Sequence, residues 1–185
     1  MRWEALFEDL EVQWEAAETA ELAAEIADRS RREAAYLRLV DRLRPAVGYP
    51  LRLGVIGEAP LGGRLSTVGV DWLLVAESET REVLVPTRSV LWIHGLFAVS
   101  AQPGHEGPLA ARLDLRYALR GIVRDRSACA VVLVDGTSVV GTLDRVGSDF
   151  IEIAEHPEAE FRRARTVLSA RTIPLAAVAF IRRTA

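Results

Sequence analysis

The chain has 185 residues, half of them hydrophobic, with 23 basic and 26 acidic side chains and a formal net charge of −3. That composition fits a folded globular protein and excludes disorder, and the acidic balance argues against a protein that coats nucleic acid non-specifically. No apolar run approaches the roughly 18–20 residues needed to span a bilayer. The acidic, amphipathic start lacks the apolar core of a secretory signal, so a cytoplasmic protein without membrane association is expected.

All the basic residues are arginine, and lysine and asparagine are absent. A GC-rich genome accounts for that bias, so an arginine here says less about phosphate recognition than it would in a chain using both cations. The lone Cys129 excludes an internal disulfide and a cysteine-rich zinc site. Set in the apolar run Ala128-Cys129-Ala130-Val131-Val132, it reads as a small buried core residue.

Residues 1–47 form the first segment. Between residues 3 and 43 there is no glycine or proline, and alanine, glutamate, leucine and arginine dominate, which predicts helix. Pro45 and Gly48 end it, and one long helix or a hairpin broken near Thr19 or Ser30 both satisfy the pattern. Trp3, Phe7, Leu10 and Trp14 keep the spacing of one apolar face and form a candidate helix-pairing surface. Acidic residues crowd the segment as far as Asp28, and arginines dominate from Arg29 onward. That order complements a helix dipole and would also let two copies pair antiparallel.

After Gly48-Tyr49-Pro50 the pattern changes to short β-rich runs, at Leu51-Arg52-Leu53-Gly54-Val55-Ile56, Trp72-Leu73-Leu74-Val75, Glu82-Val83-Leu84-Val85 and Val90-Leu91-Trp92-Ile93. Residues 48–98 therefore make one β unit. Residues 99–127 form a linker with a predicted helix over about 108–123. There Arg112, Arg116, Arg120 and Arg124 recur at i, i+4 and build a basic ridge. These four are the candidate contacts for nucleic acid or an acidic partner, whose affinity would fall steeply with salt. Residues 128–185 make the second β unit.

The two β units share a motif. Gly63-Arg64-Leu65-Ser66-Thr67-Val68-Gly69-Val70-Asp71-Trp72 aligns without a gap on Gly141-Thr142-Leu143-Asp144-Arg145-Val146-Gly147-Ser148-Asp149-Phe150, 78 residues later. Downstream, Val85-Pro86 matches Ile173-Pro174, Val90 matches Val178 and Ile93 matches Ile181, now 88 residues apart. A polar insertion around residues 156–163 accounts for the difference. Gly63 and Gly141 are expected where a strand bends. Gly69 with Asp71, and Gly147 with Asp149, are expected at tight turns that suit left-handed or Asx geometry. About five short strands in a curved meander close economically into a small barrel.

Glycine–x–leucine, then valine, aspartate and an aromatic, then a hairpin ending in Val-Pro or Ile-Pro, resembles the Sm-like and related SH3-like small barrels. Ile93-His94-Gly95 resembles the Ile-Arg-Gly signature of the second Sm motif, and Ile181-Arg182-Arg183 echoes it. The resemblance implies a fold used twice. It does not carry over the uridine-binding pocket, because Leu73-Leu74 and Ile151-Glu152 stand where that pocket uses asparagine. The whole chain also resembles an uncharacterised actinobacterial protein family, through Arg2-Trp3-Glu4-Ala5-Leu6-Phe7, Arg38-Leu39-Val40-Asp41-Arg42-Leu43 and Val132-Leu133-Val134-Asp135-Gly136. No activity comes with that family.

His94, His105 and His156 are isolated in sequence, and no nucleophile elbow or phosphate-binding glycine loop is present. The expectation is an α+β chain: an N-terminal helical segment and two small Sm-like or SH3-like barrels joined by a helix-bearing linker. Its expected role is a non-catalytic binding or scaffold protein that uses protein–protein contacts or self-association, with no cofactor and no metal. The alternative is an RNA- or DNA-binding protein using the arginine ridge and a barrel face.

Overall fold

The chain, seen in a computed structural model that describes residues 2–97, 99–101, 113–157 and 169–183, is α+β. It divides into a helical unit, Met1–Leu37, and a larger unit, Arg38–Ala185. The first holds one helix, α1 (Arg2–Ala35), unbroken at Thr19 and Ser30. The hairpin alternative therefore falls. Thr19 returns its hydroxyl to the Glu15 carbonyl at 2.7 Å, which lets a β-branched residue sit inside the helix. The basic end of α1 is tied locally, with Asp28 at 2.7 Å from Arg32 and Arg29 at 3.0 Å from Glu33. Such exposed pairs one turn apart contribute a few tenths of a kcal/mol each. Taken over its whole length, α1 spreads its apolar residues around the axis rather than gathering them into one strong stripe.

The larger unit opens with a short helix, α2 (Leu39–Leu43), and a 3₁₀ turn, Arg44–Ala46, whose second residue is Pro45. Proline fits the first turn of a helix because its missing N–H would have no partner there. Ten strands follow: β1 (Pro50–Val55), β2 (Leu61–Val68), β3 (Trp72–Ala76), β4 (Glu82–Pro86), β5 (Val90–His94), β6 (Ala128–Leu133), β7 (Ser138–Val146), β8 (Phe150–Glu155), β9 (Ser169–Pro174) and β10 (Val178–Arg183). Helix α3 (Leu115–Asp125) lies between β5 and β6 in sequence. It starts later than the predicted 108–123, and residues 102–112 lie outside those described.

All ten strands join one antiparallel sheet in the order β5-β1-β2-β3-β4-β10-β6-β7-β8-β9. The expectation of two barrels joined by a linker thus meets halves that share a single sheet through β4 and β10, where Ile181 stands opposite Leu84 and Arg182 opposite Val83. Within each half the fifth strand lies beside the first, so both halves have the same order. The duplicated motif also folds alike in detail. The long second strand of each half shifts register at the same place, between Leu65 and Thr67 and between Leu143 and Arg145. Each fourth strand leads into a 3₁₀ turn, Thr87–Ser89 or Leu175–Ala177. The amides of Thr87 and Leu175 donate to the carbonyls of Asp71 and Asp149 at 2.8 and 2.7 Å.

The glycines of the repeat are required by close approach. A Cβ on Gly63 would fall 2.4 Å from the Ala76 carbonyl oxygen, and one on Gly141 would fall 2.1 Å from that of Ala154. Of the left-handed or Asx geometry expected at these turns, Gly69 and Gly147 do not show the left-handed backbone. Instead Trp72 and Phe150 lay their rings where a Cβ would stand, at 2.2 and 2.4 Å.

Two cores lie within the sheet. The first gathers Leu53, Leu65, Leu73, Val75, Val83 and Val85 of half one, the second Val131, Leu143, Ile151, Ile153 and Ile173 of half two with Leu119 of α3. They interpenetrate at the junction: Val132, Ala179 and Phe180 of half two join the first core, and Trp72 and Leu84 of half one join the second.

Candidate functional site

The arginine ridge sits on α3, and local chemistry fixes where that helix begins. Asp114 is its N-cap and accepts from the Tyr117 amide at 2.8 Å. The Asp71 carboxylate accepts from the Leu115 amide at 2.8 Å, and Trp72 Nε1 donates to the Leu113 carbonyl at the same distance. Two residues of the first repeat therefore anchor the helix that precedes the second. Asp71 caps a helix N-terminus as well as shaping its own turn. Among the described residues, the carboxylate of its counterpart Asp149 meets the Ser148 hydroxyl, at 3.2 Å.

Helix α3 is strongly amphipathic. Leu115 and Leu119 are buried in the second core, with Ala118 and Ile122 packed against it. Arg116, Arg120 and Arg124 are exposed on the other side, while Arg112 lies outside the described residues. Arg116 is engaged by Asp114 at 2.7 Å, and Arg126, just past the helix, reaches Asp144 at 3.9 Å. Burial acts to raise the Asp114 carboxyl. The hydrogen bonds from Arg116 and the Tyr117 amide, with the charges of Arg116 and Arg120, outweigh it and hold the group below the usual range.

Beneath α3 lies a cavity of about 250 Å³ lined by Trp72, Leu84, Ile122, Cys129 and Ile181, with Glu82, Asp125 and Arg183 among its polar residues. Burial pushes the Cys129 thiol up to about 12, so it stays protonated and inert as a nucleophile. His156 is buried too; its Nε2 lies 2.8 Å from the Thr142 hydroxyl and its Nδ1 3.0 Å from the Pro157 carbonyl. His94 is exposed on β5, and His105 lies outside the described residues. Among the described residues no cluster of histidine, cysteine and carboxylate has the arrangement of a metal site, and no helix is long and apolar enough to cross a membrane.

On the candidate helix-pairing surface, Phe7 is 60% and Trp14 73% exposed. The side chains of Trp3 and Leu10 lie outside the described residues. No family model matches the chain, and no curated protein matches it.

Two features carry no obvious mark in the sequence. Asp41 is fully buried, with Arg44 at 2.9 Å and Arg38 at 3.1 Å, although it reads as an ordinary surface acid in a charged helix. Burial alone would raise its carboxyl. Hydrogen bonds from the Arg38 side chain and backbone, then the charges of Arg38 and Arg44, hold it below the usual range. The second is the outer strand β5, which among the described residues pairs only with β1 and exposes Leu91 and Trp92. Its four consecutive apolar residues mark a strand but say nothing of which neighbours it has.

Proposed function

We propose that the chain is a non-catalytic binding or scaffold protein, built on tandem Sm-like barrels and acting through protein–protein contacts. The strand addition at β4 and β10 carries this reading, because one β unit already binds its like through a sheet edge. The shared strand order, the shared bulge and the 3₁₀ turn before the fifth strand support the barrel assignment of each half. Two of the chemically versatile side chains have structural employment: both ring nitrogens of His156 lie within hydrogen-bonding distance of oxygens, and the Cys129 thiol is buried. The exposed Phe7 and Trp14 add a second surface on α1, through which copies would pair antiparallel.

Binding of RNA or DNA is the second reading, favoured by Arg116, Arg120 and Arg124 standing exposed along one helix. A titration with total RNA at low and high salt, set beside sedimentation of the same protein, separates the two. The scaffold reading expects assembly, or a stable protein partner, with no salt-sensitive RNA binding. A monomer whose RNA affinity falls with salt and is lost in Arg120→Ala with Arg124→Ala would overturn it.

A further inference from the structure

The cavity beneath α3 is larger than close packing leaves by accident. Protein interiors hold few voids bigger than a water molecule, and this one measures about 250 Å³. An apolar cavity of about 150 Å³ takes a benzene ring, and the same ratio gives room here for about ten non-hydrogen atoms. All of its lining residues belong to the larger unit, where α3 and the sheet share the second core.

Strand alternation builds the floor. Leu74 stands opposite Leu84, and Leu84 opposite Ile181, which makes an apolar row across β3, β4 and β10. Two residues along the same strands, and so on the same face, come Glu82 and Arg183, the latter in register with Cys129. The roof is a stripe of α3 with Ala118, Gly121, Ile122 and Asp125. Gly121 is the telling member, because glycine is the poorest helix former after proline. Unlike Gly63 and Gly141 it is not required by close approach, since a Cβ there would meet none of the described atoms within 4 Å. Its effect is to keep the cavity open on the helix side.

Charge gathers at one end of this apolar space. Asp125 lies in the last turn of α3, which leads through Ser127 to Cys129, and so joins Glu82 and Arg183 there. Among the described residues no ion pair engages any of these three, whereas Arg182 beside them is held by Glu77 at 3.3 Å. An enclosed apolar surface with a few convergent polar groups is the usual form of a small-molecule site.

We propose that this cavity binds an apolar α-amino acid of about the size of leucine. The side chain lies on the row Leu74, Leu84 and Ile181. The ammonium group lies between Glu82 and Asp125, where the negative end of the α3 dipole adds to the attraction. The carboxylate takes charge-assisted hydrogen bonds from Arg183. A simple amine would leave the guanidinium without a partner, and a simple carboxylate would face two acids. The inference is independent of the protein-contact reading, which uses other surfaces.

Isothermal titration of the full chain with L-leucine tests this, beside isopentylamine, isocaproate and glycine. Those three lack the carboxylate, the ammonium group and the side chain in turn. L-leucine should bind saturably with a Kd below about 1 mM, and each of the others about tenfold more weakly or worse. Arg183→Gln should remove the advantage of L-leucine over isopentylamine. Glu82→Gln with Asp125→Asn should remove its advantage over isocaproate. Gly121→Leu fills the cavity from the helix and should abolish binding. Ala118→Leu fills it from a second position and guards against one variant failing to fold, each fold being checked by circular dichroism. Arg120→Ala, on the outer side of α3, should bind as the wild type does. No saturable binding of L-leucine, a preference for the amine or the acid over it, or binding unchanged in both folded filled variants overturns the proposal.

Discussion

Phe180 and Trp92 occupy the same place in the two halves of the sheet, and their surroundings differ completely. Phe180 is fully buried against the neighbouring half, and Trp92 is 46% exposed on an outer strand. The two fourth strands differ in the matching way. Strand β4 carries Val83 and Leu84, covered on both faces, whereas β9 carries Arg171 and Thr172 in the open. Burial in this protein is therefore set by which edge finds a neighbour, because the local motif is common to both halves.

Substitution at those two aromatic positions breaks the comparison most directly. Phe180→Ala should destabilise the chain by about 3–5 kcal/mol, as for other large core residues. On the outer strand Trp92→Ala should cost less, within about 1 kcal/mol. Urea denaturation at low protein concentration measures both, and equal losses would erase the distinction between the two edges.

Next in size is Asp41, a buried anion on α2. Asp41→Ala should cost about 3 kcal/mol, because it removes a buried carboxylate that Arg38 and Arg44 both engage. The folded carboxyl is held below its unfolded value, so its contribution is complete above about pH 4 and is lost as pH falls through the lower folded value. Stability followed from pH 6 downward should show that acid limb in the wild type and a shallower one in Asp41→Asn.

A smaller asymmetry separates the paired aspartates. Asp71→Ala removes the acceptor for the Leu115 amide and should cost about 1 kcal/mol, the usual size for a lost helix cap. Asp149→Ala removes, among the described residues, an exposed contact with Ser148 and should stay within about 0.5 kcal/mol. Thermal melts of the two variants sharpen the point that a shared motif position has acquired a second duty in one half.

The smallest signal is kinetic. Cys129, buried and with its thiol pushed up to about 12, should react with a thiol reagent at pH 8 only as fast as the fold opens. Fast labelling in native buffer would contradict the burial of that thiol at the floor of the cavity beneath α3.

Much of this architecture was legible before the fold was known, and the reasons are local. The glycines at positions 63, 69, 141 and 147 stand where a Cβ would collide with backbone or ring, so the motif had to keep them at fixed spacing. The continuous apolar runs at Val83-Leu84-Val85 and Val178-Ala179-Phe180-Ile181 fit strands covered on both faces. Which strand covers which is a long-range fact, and no periodicity records it. The run Val90-Leu91-Trp92-Ile93 has the same composition and lies on an outer strand. The exposure of Arg116, Arg120 and Arg124 along α3 accords with their i, i+4 spacing. The anchoring of that helix by Asp71 and Trp72 joins residues about forty positions apart, and Asp41 disappears among the exposed acids around it.

The continuity of the sheet through β4 and β10 is the central claim, and native-state hydrogen exchange of the full chain tests it most directly. The amides around Val83 and Phe180 should exchange as slowly as those around Leu73 in the middle of half one, and those around Trp92 on the outer strand should exchange faster. Exchange around Val83 and Phe180 as fast as around Trp92 would contradict a sheet shared by the two halves.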